Sequence, residues 1–225
     1  MRTFPGGTSV SRLAVYDDGG TPHLHTVSTE AYVVTGGTGT LLTLDTNGLR
    51  ETPLAAGSTV WFTPGTVHRA VNHDDLRVLV IMSNAGLPEA GDAVMTFPTE
   101  IVADPDRYRA AAHLAGDPGL AVRHRRDLAL QGFQRLVDAA EAGDPRPLEE
   151  LYDAAVALVR PLVDGWRSTA VDTDLLDALQ SGDGRHLRAS AVFGSAPSGP
   201  PRWGMCGRLG AHDVHHPAIL SEGTR

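Results

Sequence analysis

From residue 12 to 97 the chain is written in short alternating or apolar runs, each closed by turn residues. The runs are RLAVYD, HLHTV, EAYVVT, GTLLTLD, LRETPL, STVWFT, VHRAVN and LRVLVIM. Alternation with period two places one face of each run inward and the other outward, which is the pattern of a half-buried antiparallel sheet. The expected breaks are Gly36-Gly37, Asn47-Gly48, Gly57 and Pro64-Gly65. Of these, Asn-Gly between two strand-like runs is the strongest hairpin signal. Eight such strands predict a jelly-roll sandwich or small barrel.

After Phe97-Pro98 the periodicity becomes helical. Asp104 followed by Pro105 is an N-cap with proline at the first helical position, opening a helix that Gly116 to Gly119 closes. A longer helix follows, with Leu120, Leu128, Leu130, Phe133, Leu136 and Val137 as its apolar stripe up to Gly143. A third runs from about residue 147, with Pro161 expected to kink or end it, and a fourth spans Asp172 to Gln180. The runs HLRASAVF and RWGMCGRL near the C-terminus read as strands returning to the β part. The expected organisation is a β-barrel over 1–97, a helical extension over 98–182, and C-terminal strands and tail over 183–225.

Composition removes several function classes. The chain contains no lysine, so all 19 basic residues are arginine. Schiff-base chemistry, covalent pyridoxal attachment and a Walker-type phosphate lysine are therefore excluded. The net charge of −8 is spread along the chain without a basic patch, which argues against a nucleic-acid partner. No stretch is apolar enough for a membrane span, and MRTFPGGTSV lacks the apolar segment of a secretory leader, so a cytoplasmic location is expected. The single cysteine, Cys206, excludes an internal disulfide framework.

The candidate chemistry lies in HLHTVSTE, residues 23–30. On a strand His23 and His25 share a face, and a turn at Ser28-Thr29 would let Glu30 open the next run on the same inward side. Imidazole and carboxylate together suit iron, manganese, nickel, zinc or copper. A fourth donor is available at His68, after the Pro64-Gly65 turn.

At these residues the chain resembles the cupin superfamily. His23-x-His25-x4-Glu30-x6-Gly37 matches the first cupin motif, and Gly57, Gly65, His68 and Asn72 match the second. Two turn positions depart from the pattern: Asp17 stands at the usual opening glycine, and Thr63 at the proline of the second motif, with Pro64 one later. The resemblance covers about residues 10–97. It implies a conical barrel holding one divalent metal ion through His23, His25, Glu30 and His68, with Fe2+ favoured and Mn2+, Ni2+ or Zn2+ also accommodated.

Three functions follow from that site. The leading expectation is an iron-dependent oxygenase acting on a small organic substrate. The alternatives are a sugar or hydroxy-acid isomerase, epimerase or lyase, and a binding protein without turnover. Tyr32 shares parity with Glu30 and is the candidate catalytic group. Tyr32, Trp61 and Met82 are the candidate substrate-binding residues. Arg69 is expected to face outward and Asn72 to hold a turn. Arg123 to Arg126 either form a solvated face or close over the barrel mouth to bind an anion. The helical part is read as a lid or as the interface of a homodimer. The His212 to His216 tail is not read as a second metal site, and Cys206 is read as buried.

Overall fold

A computed structural model describes residues 5–170 and 173–195, and the backbone of 202–203, 208–209 and 218–219. The β part comprises β1 (Ser9–Ala14), β2 (His23–His25), β3 (Glu30–Asp45), β4 (Gly48–Ala55), β5 (Thr59–Phe62), β6 (Val67–Met82) and β7 (Ala93–Met95). Chain returns at β8 (Val192–Ser195) and β11 (Ala218–Ile219) extend it. Together they form one antiparallel sheet in the order β11-β8-β5-β3-β6-β2-β7, with β1 paired to β6 and β4 to β3. The sheet curls into a half-barrel. The Asn47-Gly48 hairpin forms as expected, Gly48 taking a left-handed φ of 103° between β3 and β4.

The strand count differs from the expectation for a physical reason. EAYVVT and GTLLTLD are one strand, as are VHRAVN and LRVLVIM, and each is 16 residues long. The glycines expected to break the chain instead bulge the β3–β6 ladder, whose register shifts between Val34 and Gly39. Gly37 has φ 72°, and a Cβ there would stand 2.1 Å from the Asp75 carbonyl oxygen. A straight strand of this length would run about 50 Å, so the bend folds β3 and β6 back on themselves. Asn72 secures the bulge, donating to the Val15 carbonyl at 2.9 Å and accepting from the Leu76 N–H at 2.9 Å.

The helices are α1 (Thr99–Val102), α2 (Pro105–Ala112), α3 (Pro118–Glu141), α4 (Arg146–Val159), α5 (Val163–Trp166), α6 (Thr173–Ser181) and α7 (Arg185–Arg188). Asp104 caps α2 by accepting from the Asp106 and Arg107 N–H groups. Pro161 ends α4 within a short 3-10 turn, as its missing N–H requires. HLRAS, read from sequence as strand, contains the turn of α7, and only Val192 onward joins the sheet, on β5. RWGMCGRL supplies two short strands, β9 (Arg202–Trp203) and β10 (Arg208–Leu209), which pair with each other and not with the barrel.

The boundary at residue 97 marks a change of secondary structure, not a break in the core. One apolar cluster joins Leu24, Leu44, Val67 and Val94 of the sheet to Phe133, Leu136, Leu151, Val159 and Leu176 of the helices. A second cluster fills the barrel around Val34, Leu41, Phe62, Leu76 and Val78. Most of the stripe assigned from sequence to a lid or a dimer contact is thus spent inside the chain. Among the described residues no helix is long and apolar enough to cross a membrane.

Candidate metal centre and its cavity

Sheet register brings the four candidate donors together. His23 pairs directly with His68 across β2 and β6. Glu30 opens β3 opposite Met82, at the far end of β6 from His68, so only the curl of the two long strands sets its carboxylate against the histidines. The Pro64-Gly65 turn leading into His68 is clamped on both sides. The Gly65 N–H donates to the His25 carbonyl at 2.9 Å, and the Tyr152 hydroxyl donates to the Gly65 carbonyl at 3.0 Å. Gly65 is required there, since a Cβ would lie 2.1 Å from the Leu187 carbonyl oxygen.

One donor atom from each of His23, His25, Glu30 and His68 lies within 4.8 Å of the others. Glu30 Oε2 sits 3.1 Å from both His25 Nε2 and His68 Nε2. These three atoms are buried and lack hydrogen-bond alignment with one another or with any other group. Buried orphaned polar atoms are costly, and three converging on one point fit a cation. The far side of each imidazole is held. His23 Nδ1 lies 2.8 Å from the Thr21 carbonyl, His68 Nδ1 3.1 Å from the Thr66 carbonyl, and His25 Nδ1 3.2 Å from Asp92 Oδ2. A proton on each Nδ1 leaves Nε2 as the donor facing inward.

Asp92 is the residue that sequence reasoning missed. It is fully buried, and its carboxylate accepts from the N–H groups of Thr26, Val27 and Ser28 at 2.8, 2.6 and 3.3 Å and from the Thr26 hydroxyl at 2.8 Å. It therefore shapes the β2–β3 turn and orients His25 at once. A lone Asp between Gly91 and Ala93-Val94-Met95 was the available signal, but 67 residues separate it from His25 and no motif spacing links them.

The electrostatics differ from donor to donor. Burial alone would push His25 down, but Asp92 and Glu30 reverse this and raise its pKa to about 10. Burial likewise opposes the Glu30 charge, yet His68 and His25 hold its pKa well below the usual carboxylate range. His23, pressed by burial and then by its two histidine neighbours, drops to about 3 and stays neutral. Burial, then the Glu30 charge, raises Tyr32, keeping its hydroxyl a proton donor.

A cavity of about 290 Å³ opens from His23 and His68 outward. Tyr32 stands in its wall, its ring edge-on to Phe62 and to His68. Leu13, Val15, Ala70, Ala93 and Met95 supply apolar surface, and Arg69 and Arg125 contribute two cations. Trp61 and Met82, expected from sequence as substrate-binding residues, do not line it. Trp61 points to the other face of β5 and stacks on Phe193 of β8, with centroids 5.7 Å apart. Met82 packs against the barrel cluster beside Val80. Met95, on a three-residue strand with no sequence signal, stands in the wall instead.

Arg69 also departs from expectation. It is half-buried, with its guanidinium folded onto the preceding loop, donating to the Gly20 carbonyl at 3.1 Å and the Asp18 carbonyl at 2.8 Å. Burial, then the neighbouring Arg126, lowers its pKa. The arginine run on α3 is divided: Arg123 and His124 are exposed, Arg125 reaches the cavity, and Arg126 is buried and paired with Asp18 at 3.1 Å. Cys206 and His212 to His216 lie outside the described residues.

Comparison with known proteins agrees with this geometry. Residues 10–82 match the profile of the cupin domain. The curled antiparallel sheet with three histidines and a glutamate gathered inside it is a cupin domain, followed here by a helical extension that shares its core.

Among solved structures, the chain is similar to the TDP-quinovose 3,4-ketoisomerase of Campylobacter jejuni, with 14% identity over 33% of this chain and 61% of that one, TM-score 0.31. It is similar to a Streptomyces PAC13 variant with uridine, with 17% identity over 41% and 69%, TM-score 0.34. A third is the sugar 3,4-ketoisomerase QdtA of Thermoanaerobacterium thermosaccharolyticum in complex with TDP, with 14% identity over 38% and 64%, TM-score 0.34. No curated protein sequence matches the chain.

Proposed function

We propose that this cupin domain is a mononuclear metal-dependent enzyme acting on a small organic substrate, and that its chemistry is of the iron-dependent oxygenase kind. The observation that carries this reading is the donor cluster, with its orphaned buried atoms, set at the inner end of a cavity whose described wall contains no aspartate or glutamate. Acid–base catalysis by a carboxylate pair has no residues there to perform it. A divalent ion held by His23, His25, Glu30 and His68 would supply Lewis acidity and, as Fe2+, redox capacity; Mn2+, Ni2+ and Zn2+ suit the same donors.

The chain's own residues have definable tasks in this reading. Asp92 fixes the His25 ring and so the direction of its Nε2. Tyr32, buried and kept protonated, donates a hydrogen bond to a substrate oxygen near the histidines. The apolar wall excludes water from the reacting end. Tyr32 also supports the second reading, metal-assisted isomerisation, epimerisation or lyase chemistry, in which its hydroxyl serves as the general acid.

The test begins with protein purified anaerobically without a tag or added metal. Mass spectrometry is expected to find about one iron per chain, and dioxygen uptake is then measured with catechols, thiols and keto acids. Manganese, nickel or zinc, together with substrate deuterium exchange and no dioxygen uptake, would move the assignment to the second reading. Absence of any stoichiometric metal would defeat both and favour a binding protein.

A further inference from the structure

The cavity has a second polar feature at its mouth, remote in sequence from the donors. Arg69 and Arg125 both line it, one from β6 and one from α3. Neither makes an ion pair with a carboxylate among the described residues, whereas their neighbour Arg126 is paired with Asp18. Arg125 Nε is buried and without a hydrogen-bond partner. An unpaired guanidinium N–H taken out of water is costly unless an acceptor satisfies it, and of the two arginines Arg125 is the one that shows such a group.

Both arginines are held in place by backbone geometry. Arg125, Ala129 and Gly132 are spaced i, i+4, i+7 and so share the barrel-facing side of α3. That face is pinned to the sheet: the Ala129 carbonyl accepts from the Thr96 hydroxyl at 2.9 Å. The helix backbone presses so close at Gly132 that a Cβ would stand 2.0 Å from the Thr96 carbonyl oxygen. On the opposite side, the loop that carries Asp18 and Gly20 grips Arg69 through two carbonyls, and Gly19, at φ 79°, leaves room for its guanidinium. Most of the remaining wall is apolar, and Leu13 and Tyr16 of that wall are exposed.

We propose that Arg125 and Arg69 are the specificity-determining residues of this cavity. They grip the carboxylate of a small organic acid whose apolar body lies along Val15 and Met95 and whose far end reaches Tyr32 and the histidines. The volume of about 290 Å³, at the lower end of ligand cavities, matches a compact acid. The planar guanidinium of Arg125 matches a carboxylate in geometry as well as charge, and Arg69 adds a second cation to the same wall. The inference rests on the proposed function only in calling that acid the substrate.

Calorimetry with benzoate, phenylpyruvate and 4-methyl-2-oxopentanoate tests it, with benzamide as the neutral control and inorganic phosphate as the competing anion. At least one carboxylate is expected to bind, benzamide about tenfold or more weakly than benzoate. Arg125→Met should weaken carboxylate binding by about tenfold to a hundredfold, while Arg123→Met, on the exposed side of α3, leaves it unchanged. Arg125→Gln and Arg69→Met should behave as Arg125→Met does, and circular dichroism with a thermal melt of each variant reports an intact fold.

Equal binding of benzoate and benzamide, equal binding by wild type and Arg125→Met, or no carboxylate binding at all overturns the proposal. Phosphate bound more tightly than every carboxylate, with the same Arg125 dependence, overturns the carboxylate assignment. Arg125-dependent binding in a protein without metal would leave this inference standing and remove the proposed function; stoichiometric metal without Arg125-dependent binding would do the reverse.

Discussion

The two ends of the cavity are built differently. At the inner end, four donors come from three strands within residues 23–68, and register plus the curl of β3 and β6 sets their positions. At the mouth, Arg69 is held by a loop and Arg125 by a helix more than fifty residues further along the chain. The inner end is over-determined, with every imidazole tied on its far side. The mouth depends on how α3 seats on the barrel. A change at the inner end should therefore abolish ion binding, whereas a change at the mouth should alter which ligand is held.

The largest expected effect is at the donors. His68→Ala or Glu30→Ala should lower metal from about one ion per chain to less than about a tenth, measured by mass spectrometry on the folded variant. His215→Ala should leave the metal content unchanged; loss of half the metal there would break the single-site reading.

Asp92→Asn sharpens the comparison at the next level. It replaces one accepting oxygen with a donor facing the Ser28 N–H and His25 Nδ1, so metal affinity should fall roughly 10- to 100-fold. Buried groups left unpaired should also cost about 1–3 kcal/mol in chemical denaturation. Metal affinity equal to wild type would show that the His25 ring needs no carboxylate to orient it.

Gly132→Ala addresses the mouth from a distance. Its Cβ forces α3 off the Thr96 carbonyl, with an expected stability loss of about 1–3 kcal/mol and weaker carboxylate binding at unchanged metal content. Loss of metal in that variant would mean that the two ends are not separable. The smallest effect belongs to Trp61→Phe, which should cost less than about 1.5 kcal/mol and leave ligand binding intact, since Trp61 stacks on Phe193 outside the cavity. Ligand affinity changed severalfold would return Trp61 to the site.

What could be read in advance follows the same division. The HxH spacing places two side chains on one face of a strand, and Asn47-Gly48 demands a hairpin, because both are consequences of local backbone geometry. The caps at Asp104 and the break at Pro161 are local too, and α2 and α4 obey them. For Trp61 and Met82 the pattern is silent, because a strand-like run offers two faces without saying which will border empty space. Gly36-Gly37 reads as a turn in sequence, but a glycine pair serves equally to bulge a continuous ladder, as it does here. The stripes of residues 98–182 pose the same question: an amphipathic stripe announces that it will be covered but not by what, and here the barrel covers much of it.

By itself, then, the sequence determined that His23 and His25 share a strand face, the antiparallel character of the first part and the helical character of the second, since these depend on spacings of a few residues and on turn chemistry, whereas Glu30 and His68 join the candidate donors through the resemblance to the cupin motifs. Only the tertiary structure decided that Asp92 stands behind His25, that Met95 and not Met82 walls the cavity, and that Arg125 and Arg69 line the same cavity. Each of those contacts joins segments far apart along the chain, and the bend of two long strands and the seating of one helix, not local spacing, bring them together.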